Sequence, residues 1–184
     1  MLVSHFRIRE QLAGLLLELS GLTSSLERRE AGAVQRVIEF LRRAEQALVD
    51  NRLRQSAELA AVRADLAAVR LGESDGRLRV RERRCALEKI GPIGSALSAA
   101  VAPVEQRIES ARLAARQLLQ LVAASGAVRR DGQQDLTQMV ERIWQLAREH
   151  DQLKPLALQI SVALNRQDIP LLLAEEIDPD DFAA

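Results

Sequence analysis

Tyrosine is absent, tryptophan occurs once (Trp144), and aromatic residues make up only 2% of the 184 residues. Proteins that read nucleic acid by stacking bases on aromatic rings are therefore disfavoured. A single cysteine, Cys85, excludes an internal disulfide and any multi-cysteine zinc site. Its position suits a half-buried helix filler better than a nucleophile. Charge of one sign is also lacking, with 26 Lys and Arg against 26 Asp and Glu, so no global field draws the chain to DNA or anionic lipid. Lys89 and Lys154 are the only lysines, and a GC-rich coding bias accounts for this more simply than a phosphate-binding role. No run of about 18 apolar residues exists, which excludes a membrane-spanning helix. The start, MLVSHFRIRE, puts charges where a signal peptide needs apolar residues, so a cytoplasmic location is expected.

What the chain does contain is helical periodicity. With 47% hydrophobic and 28% charged residues it is composed to fold. Four seams carry apolar residues at alternating spacings of three and four, the mark of one buried helix face. The first is Ile8, Leu12, Leu15, Leu19, Leu22 and Leu26. The second is Val37, Leu41, Ala44 and Leu48, resuming at Leu59, Val62, Leu66 and Val69. The third runs Leu97, Val101, Val104, Ile108, Ala111, Ala115, Leu118 and Val122. The fourth runs Leu136, Met139, Ile143, Leu146, His150, Leu153, Ala157, Ile160 and Leu164. No stretch alternates with period two. The expected fold class is all-α, an elongated antiparallel bundle of helical hairpins with coiled-coil-like packing.

Punctuation sets the expected boundaries within one bundle domain, residues 1–167. Ser24 three residues before Glu27 resembles a capping box, ending a first helix (2–22) and starting a second near Ser25. That second helix is expected to run 25–71, with a break at Asp50-Asn51 as the alternative, because Leu48 and Leu59 stand a heptad plus four apart. GESDG (72–76) reads as a turn before a helix at 75–90, which Gly91-Pro92 ends. Helices at 92–124 and 133–167 follow, kinked at Pro103 and Pro155, where the register survives. Residues 168–184 form an acidic-apolar tail. Narrow Ala-containing seams bury little area, so a homodimer is expected to complete the core.

Several clusters qualify as sites. Arg77, Arg81 and Arg84 share one helical face and suit a phosphate clamp, or else a solvated helix start with Glu82 and Glu88 as partners. His5 and His150 extend apolar seams and lack the spacing of a metal pair. There is no Gly-rich phosphate loop and no nucleophile motif, and neither cofactor nor metal is expected. The tail mixes Leu171, Leu172, Leu173, Ile177 and Phe182 with Glu175, Glu176 and Asp178. That pattern suits a segment docking into a partner protein's groove, with folding back onto its own bundle as the alternative.

The stretch QQDLTQMVERI has a further reading. Gln134, Asp135, Leu136 and Thr137 match the Gln-Asp-Leu-Thr-x-Gln helix of the CheZ chemotaxis phosphatases, which it resembles. RVIEFLRRAEQA (Arg36 to Ala47) is loosely similar to another helical stretch of that family, and the acidic tail is in the right place. The resemblance implies a dimeric four-helix bundle acting on a phosphorylated response regulator that itself carries the phosphate and Mg²⁺. Asp135 would engage the regulator and a glutamine would orient the attacking water. This sequence departs at that glutamine: its position is Met139, and Gln138 stands one residue early, turned by about 100° around the helix. A polar helix start explains the same residues, with Asp135 favourably placed at the positive helix end. The leading expectation is a non-catalytic interaction protein of a bacterial cytoplasm. An accessory phosphatase or degenerate relative using Asp135 and Gln138 is the alternative.

Overall fold

A computed structural model describes residues 4–71, 78–129 and 135–182. These form seven α-helices and no strand, and the fold is all-α. The helices are α1 (His5–Glu27), α2 (Ala33–Asp50), α3 (Ser56–Leu71), α4 (Leu78–Ser125), α5 (Leu136–Glu149), α6 (Lys154–Ala163) and α7 (Asp168–Glu176). A 3₁₀ turn follows at Pro179–Phe182. Where one bundle was expected, the chain divides into two compact units, Arg7–Val104 and Met1–Phe6 with Glu105–Ala184. The division falls inside α4, directly after Val104.

The helix boundaries correct several expectations. Ser24 does not start a helix, because α1 runs on to Glu27. The Thr23 hydroxyl donates to the Leu19 carbonyl at 2.9 Å and that of Ser24 to Ser20 at 3.3 Å, the bonds such residues make inside a helix. The continuous helix 25–71 is likewise broken, once at 28–32 and again beyond Asp50, the second at the alternative Asp50-Asn51 break. Both α1 and α2 end on an arginine in the left-handed region, Arg29 (φ 59) and Arg52 (φ 56). The amide of Glu30 donates to Ser25 at 3.1 Å and that of Arg29 to Leu26 at 3.2 Å. Leu53 donates to Leu48 at 2.8 Å and Arg52 to Val49 at 2.9 Å. This double closure of the last carbonyls usually has glycine at its left-handed position.

The prolines behave unequally. Gly91-Pro92 does not end a helix, since α4 continues through both Pro92 and Pro103. Pro155 does mark a break, but the turn lies before it, at residues 150–153. Its ring would clash with the carbonyl of Asp151 in a continuous helix, and it sits instead in the first turn of α6. The 72–76 turn lies outside the described residues.

In the Arg7–Val104 unit, polar pairs fix the helix directions. Arg43 Nη1 of α2 donates to Glu18 of α1 at 3.1 Å, and Asn51 Nδ2 to Gln11 at 3.2 Å, so the two run antiparallel. Arg63 of α3 donates to Glu45 of α2 at 2.8 Å, and Lys89 of α4 pairs with Asp65 of α3. Where α4 approaches α1, a Cβ on Gly94 would stand 3.5 Å from Leu19 Cδ2. The result is an up-down-up-down bundle. Its core contains all six seam residues of α1, with Val37, Phe40, Leu41, Leu48, Leu59, Leu66, Ile93 and Leu97.

One buried polar residue explains how α4 survives Pro103. Proline has no N–H to give the carbonyl four residues back, which is that of Ala99. The side-chain amide of Gln55, only 5% exposed, donates to that carbonyl at 3.3 Å. Gln55→Ala is expected to cost about 1–3 kcal/mol, the range for leaving a buried acceptor unsatisfied. In a Pro103→Ala background the helix N–H at position 103 is restored, and the cost should largely disappear. A double-mutant cycle by urea unfolding checks this; strictly additive costs would contradict the pairing.

The other unit is built from the C-terminal part of α4, residues 4–6, and the helices α5 to α7. Gly126 (φ 62) closes α4, its amide donating to Ala123 at 3.1 Å. Both α6 and α7 pack on α5. The core collects Ile108, Ala115, Leu118 and Val122 of α4 with Met139, Val140 and Ile143 of α5. It is completed by Ala157, Ile160, Leu164, Ile169, Leu172, Leu173, Ile177 and Phe182. Two residues of the fourth seam face solvent instead: Leu136, at the start of α5, and His150, where the break at 150–153 ends the continuous face.

Candidate functional site

The acidic-apolar tail is a helix of the fold rather than a free segment. Leu172, Leu173, Ile177 and Phe182, expected at a partner's groove, are buried in the unit's own core. The carboxylates follow them. Glu176, with a side chain only 10% exposed, accepts from Arg112 Nε and from Arg116 Nε, both at 2.6 Å, while Glu175 stands 3.5 Å from Arg112. Burial opposes the charged form of Arg112, but hydrogen bonds to Glu109 and Glu176 outweigh it and raise its pKa above the usual value. Asp178 accepts from the backbone amide of Asp180 at 3.0 Å and so shapes the 3₁₀ turn. Of the expected partner-binding residues, Leu171, Glu175 and Asp178 remain exposed.

The start of α7 holds a cluster that no local pattern announced. Asp168 is fully buried. Its carboxylate accepts from the Ser4 hydroxyl, from the His5 backbone amide at 2.7 Å, and stands 3.3 Å from His5 Nδ1. A carboxylate 163 residues away thereby caps the N-terminus of α1, where the exposed amides and helix dipole favour negative charge. With its proton on Nδ1, His5 donates to Asp168 and accepts at Nε2 from Arg107 Nη1 at 3.4 Å. Ser, His and Asp are the residue types of a hydrolase triad, but the wiring differs. The hydroxyl bonds the carboxylate, and the outer imidazole nitrogen faces a guanidinium rather than a nucleophile. Sequence reasoning missed Asp168, and only its place just before Ile169-Pro170 hinted at a helix start.

The start of α5 holds the residues of the phosphatase resemblance. Asp135 occupies the N-cap position in extended conformation (φ −67, ψ 143) without a side-chain cap bond, and its carbonyl accepts from Met139 N at 3.1 Å. Asp135, Leu136, Thr137 and Gln138 are all exposed, whereas Met139 is 2% exposed and belongs to the core. Gln133 and Gln134 lie outside the described residues. No family model matches this chain, and neither the curated proteins nor the solved structures compared with it give a match.

In the other unit, Cys85 is half-buried, and burial pushes its thiol pKa up although nearby Lys89 pulls it down. A thiol held protonated is a poor nucleophile. Arg81 and Arg84 are exposed on α4, and Arg84 pairs with Glu88 at 3.0 Å, while Arg77 lies outside the described residues. Among the described residues no group of three or more His, Cys, Asp or Glu is arranged to hold a metal ion, and no helix is long and apolar enough to cross a membrane.

Proposed function

We propose that this chain is a non-catalytic helical interaction protein, an adaptor, chaperone-like or assembly factor working in the cytoplasm. What supports the reading is the surface of α6 and α7. Leu158 and Val162 stand one turn apart on α6 and are 66% and 80% exposed, and Leu171 on α7 is 53% exposed. A ten-residue helix whose solvent-facing side carries two apolar residues one turn apart presents an anchor for another protein. Glu175 and Asp178 lie nearby in sequence on the exposed side of the tail and would steer a basic rim to it. The partner is a protein, and a second copy of this chain is one form it can take.

A double substitution, Leu158→Asp with Val162→Asp, should abolish partner capture or self-association while leaving the melting temperature within a few degrees. Light scattering distinguishes a second copy from a different protein retained on the immobilised chain. Capture and oligomeric state both unchanged in the double variant would contradict this surface.

A second reading, an accessory phosphatase for a phosphorylated response regulator, is favoured by the exposure of Asp135 and Gln138 on the first turn of α5. Met139 argues against it, because its thioether is buried where the family's water-orienting glutamine would stand. Dephosphorylation of a regulator accelerated by this protein, and lost in Asp135→Ala, would replace the first reading by the second.

A further inference from the structure

The Arg7–Val104 unit contains a cavity of about 570 Å³ between the α1–α2 connection and the start of α4. Arg29, Arg79 and Arg83 line it, together with Glu30, Glu82 and the first residues of α2. Arg79 and Arg83 are one turn apart, so α4 presents both on one side. Among the described residues, none of these three guanidiniums is engaged in a hydrogen bond or ion pair. Of the two lining carboxylates, Glu30 is already held by Arg36 at 2.7 Å. Arg29 also has a positive φ of 59, a backbone state that a non-glycine residue adopts at a cost of about 1–2 kcal/mol.

We infer that this cavity binds a small polyanion bearing two or more phosphoryl groups. The inference is independent of the proposed interaction surface, which lies in the other unit. Three guanidiniums converging on one cavity from two elements match the bidentate demands of several phosphoryl oxygens better than a single carboxylate. Gly32, with φ 73, starts α2 without a capping side chain, and the first residues of α2, Ala33 to Gln35, line the same cavity. The cavity volume suits a phosphorylated small molecule.

Calorimetric titration of the full chain at low ionic strength with orthophosphate, pyrophosphate and tripolyphosphate tests this. Affinity should rise in that order, with a pyrophosphate Kd below about 1 mM, and should fall as salt is added. Arg79→Ala and Arg83→Ala should each weaken pyrophosphate binding about tenfold or more. Arg29→Gly should weaken it too while raising the melting temperature, whereas Arg52→Gly should raise the melting temperature and leave affinity unchanged. A nucleoside triphosphate binding more tightly than tripolyphosphate would identify a nucleotide as the ligand, and equal binding an inorganic chain. Absence of saturable heat with folded protein at about 10 mM pyrophosphate, or equal affinity in the Arg79→Ala and Arg83→Ala variants, overturns the inference.

Discussion

Deleting residues 169–184 is expected to leave α5 without a stable partner. The deletion removes Ile169, Leu172, Leu173, Ile177 and Phe182, all buried in the unit. At about 1.5–3 kcal/mol for each large side chain fully buried, the loss is on the order of 8–15 kcal/mol. A whole domain is stable by about 5–15 kcal/mol, so no folded form of that unit should persist. Amide hydrogen exchange along residues 136–149 reads this directly: protected in the full chain, unprotected after deletion. The single substitution Leu173→Ala should cost about 2–5 kcal/mol by the same route. Should α5 stay protected and the melting temperature move only slightly, the tail would be dispensable to its own core and available for a partner's groove.

Asp168→Ala is the second large effect, expected at about 3–5 kcal/mol. Charged hydrogen bonds contribute about 1.5–3 kcal/mol each, and this carboxylate accepts from the Ser4 hydroxyl and the His5 amide and stands against the His5 ring. For a chain of this length the melting temperature should drop by roughly 10 °C. Asp168→Asn keeps the shape and one acceptor and should cost less. Ser4→Ala, which removes one donor and leaves the carboxylate capping the helix, should cost about 1 kcal/mol. Thermal melts of the three variants should rank in that order. An Asp168→Ala protein that melts like the parent would show that the cap contributes nothing.

The helical faces were legible because burial follows period. Every residue of the first and third seams is buried, from Ile8 to Leu26 and from Leu97 to Val122. The breaks were harder to read. Arginines in the left-handed region end α1 and α2, and nothing in arginine's chemistry announces a position where glycine is the usual choice. Pro103 misleads in the opposite direction, since the residue that satisfies its orphaned carbonyl, Gln55, is 48 positions away. The tail's apolar residues were visible, but periodicity records that a face is covered and not by what. Asp168 was invisible for the same reason at greater range, because its donors are Ser4 and His5.

The clasp between Ser4, His5 and Asp168 also imposes an order on synthesis. Residues 7–104 are contiguous, so that unit has all its own parts as soon as residue 104 has left the ribosome. The unit containing residues 4–6 does not, because the carboxylate that receives them emerges 64 residues after Val104. At about 5–20 residues per second, the first turn of α1 still waits roughly 3–13 s for its anion after residue 104 has emerged. During that interval its leading amides are open to water. A nascent chain stalled before residue 168 should therefore be cut by protease near residues 4–6 while residues 7–104 resist.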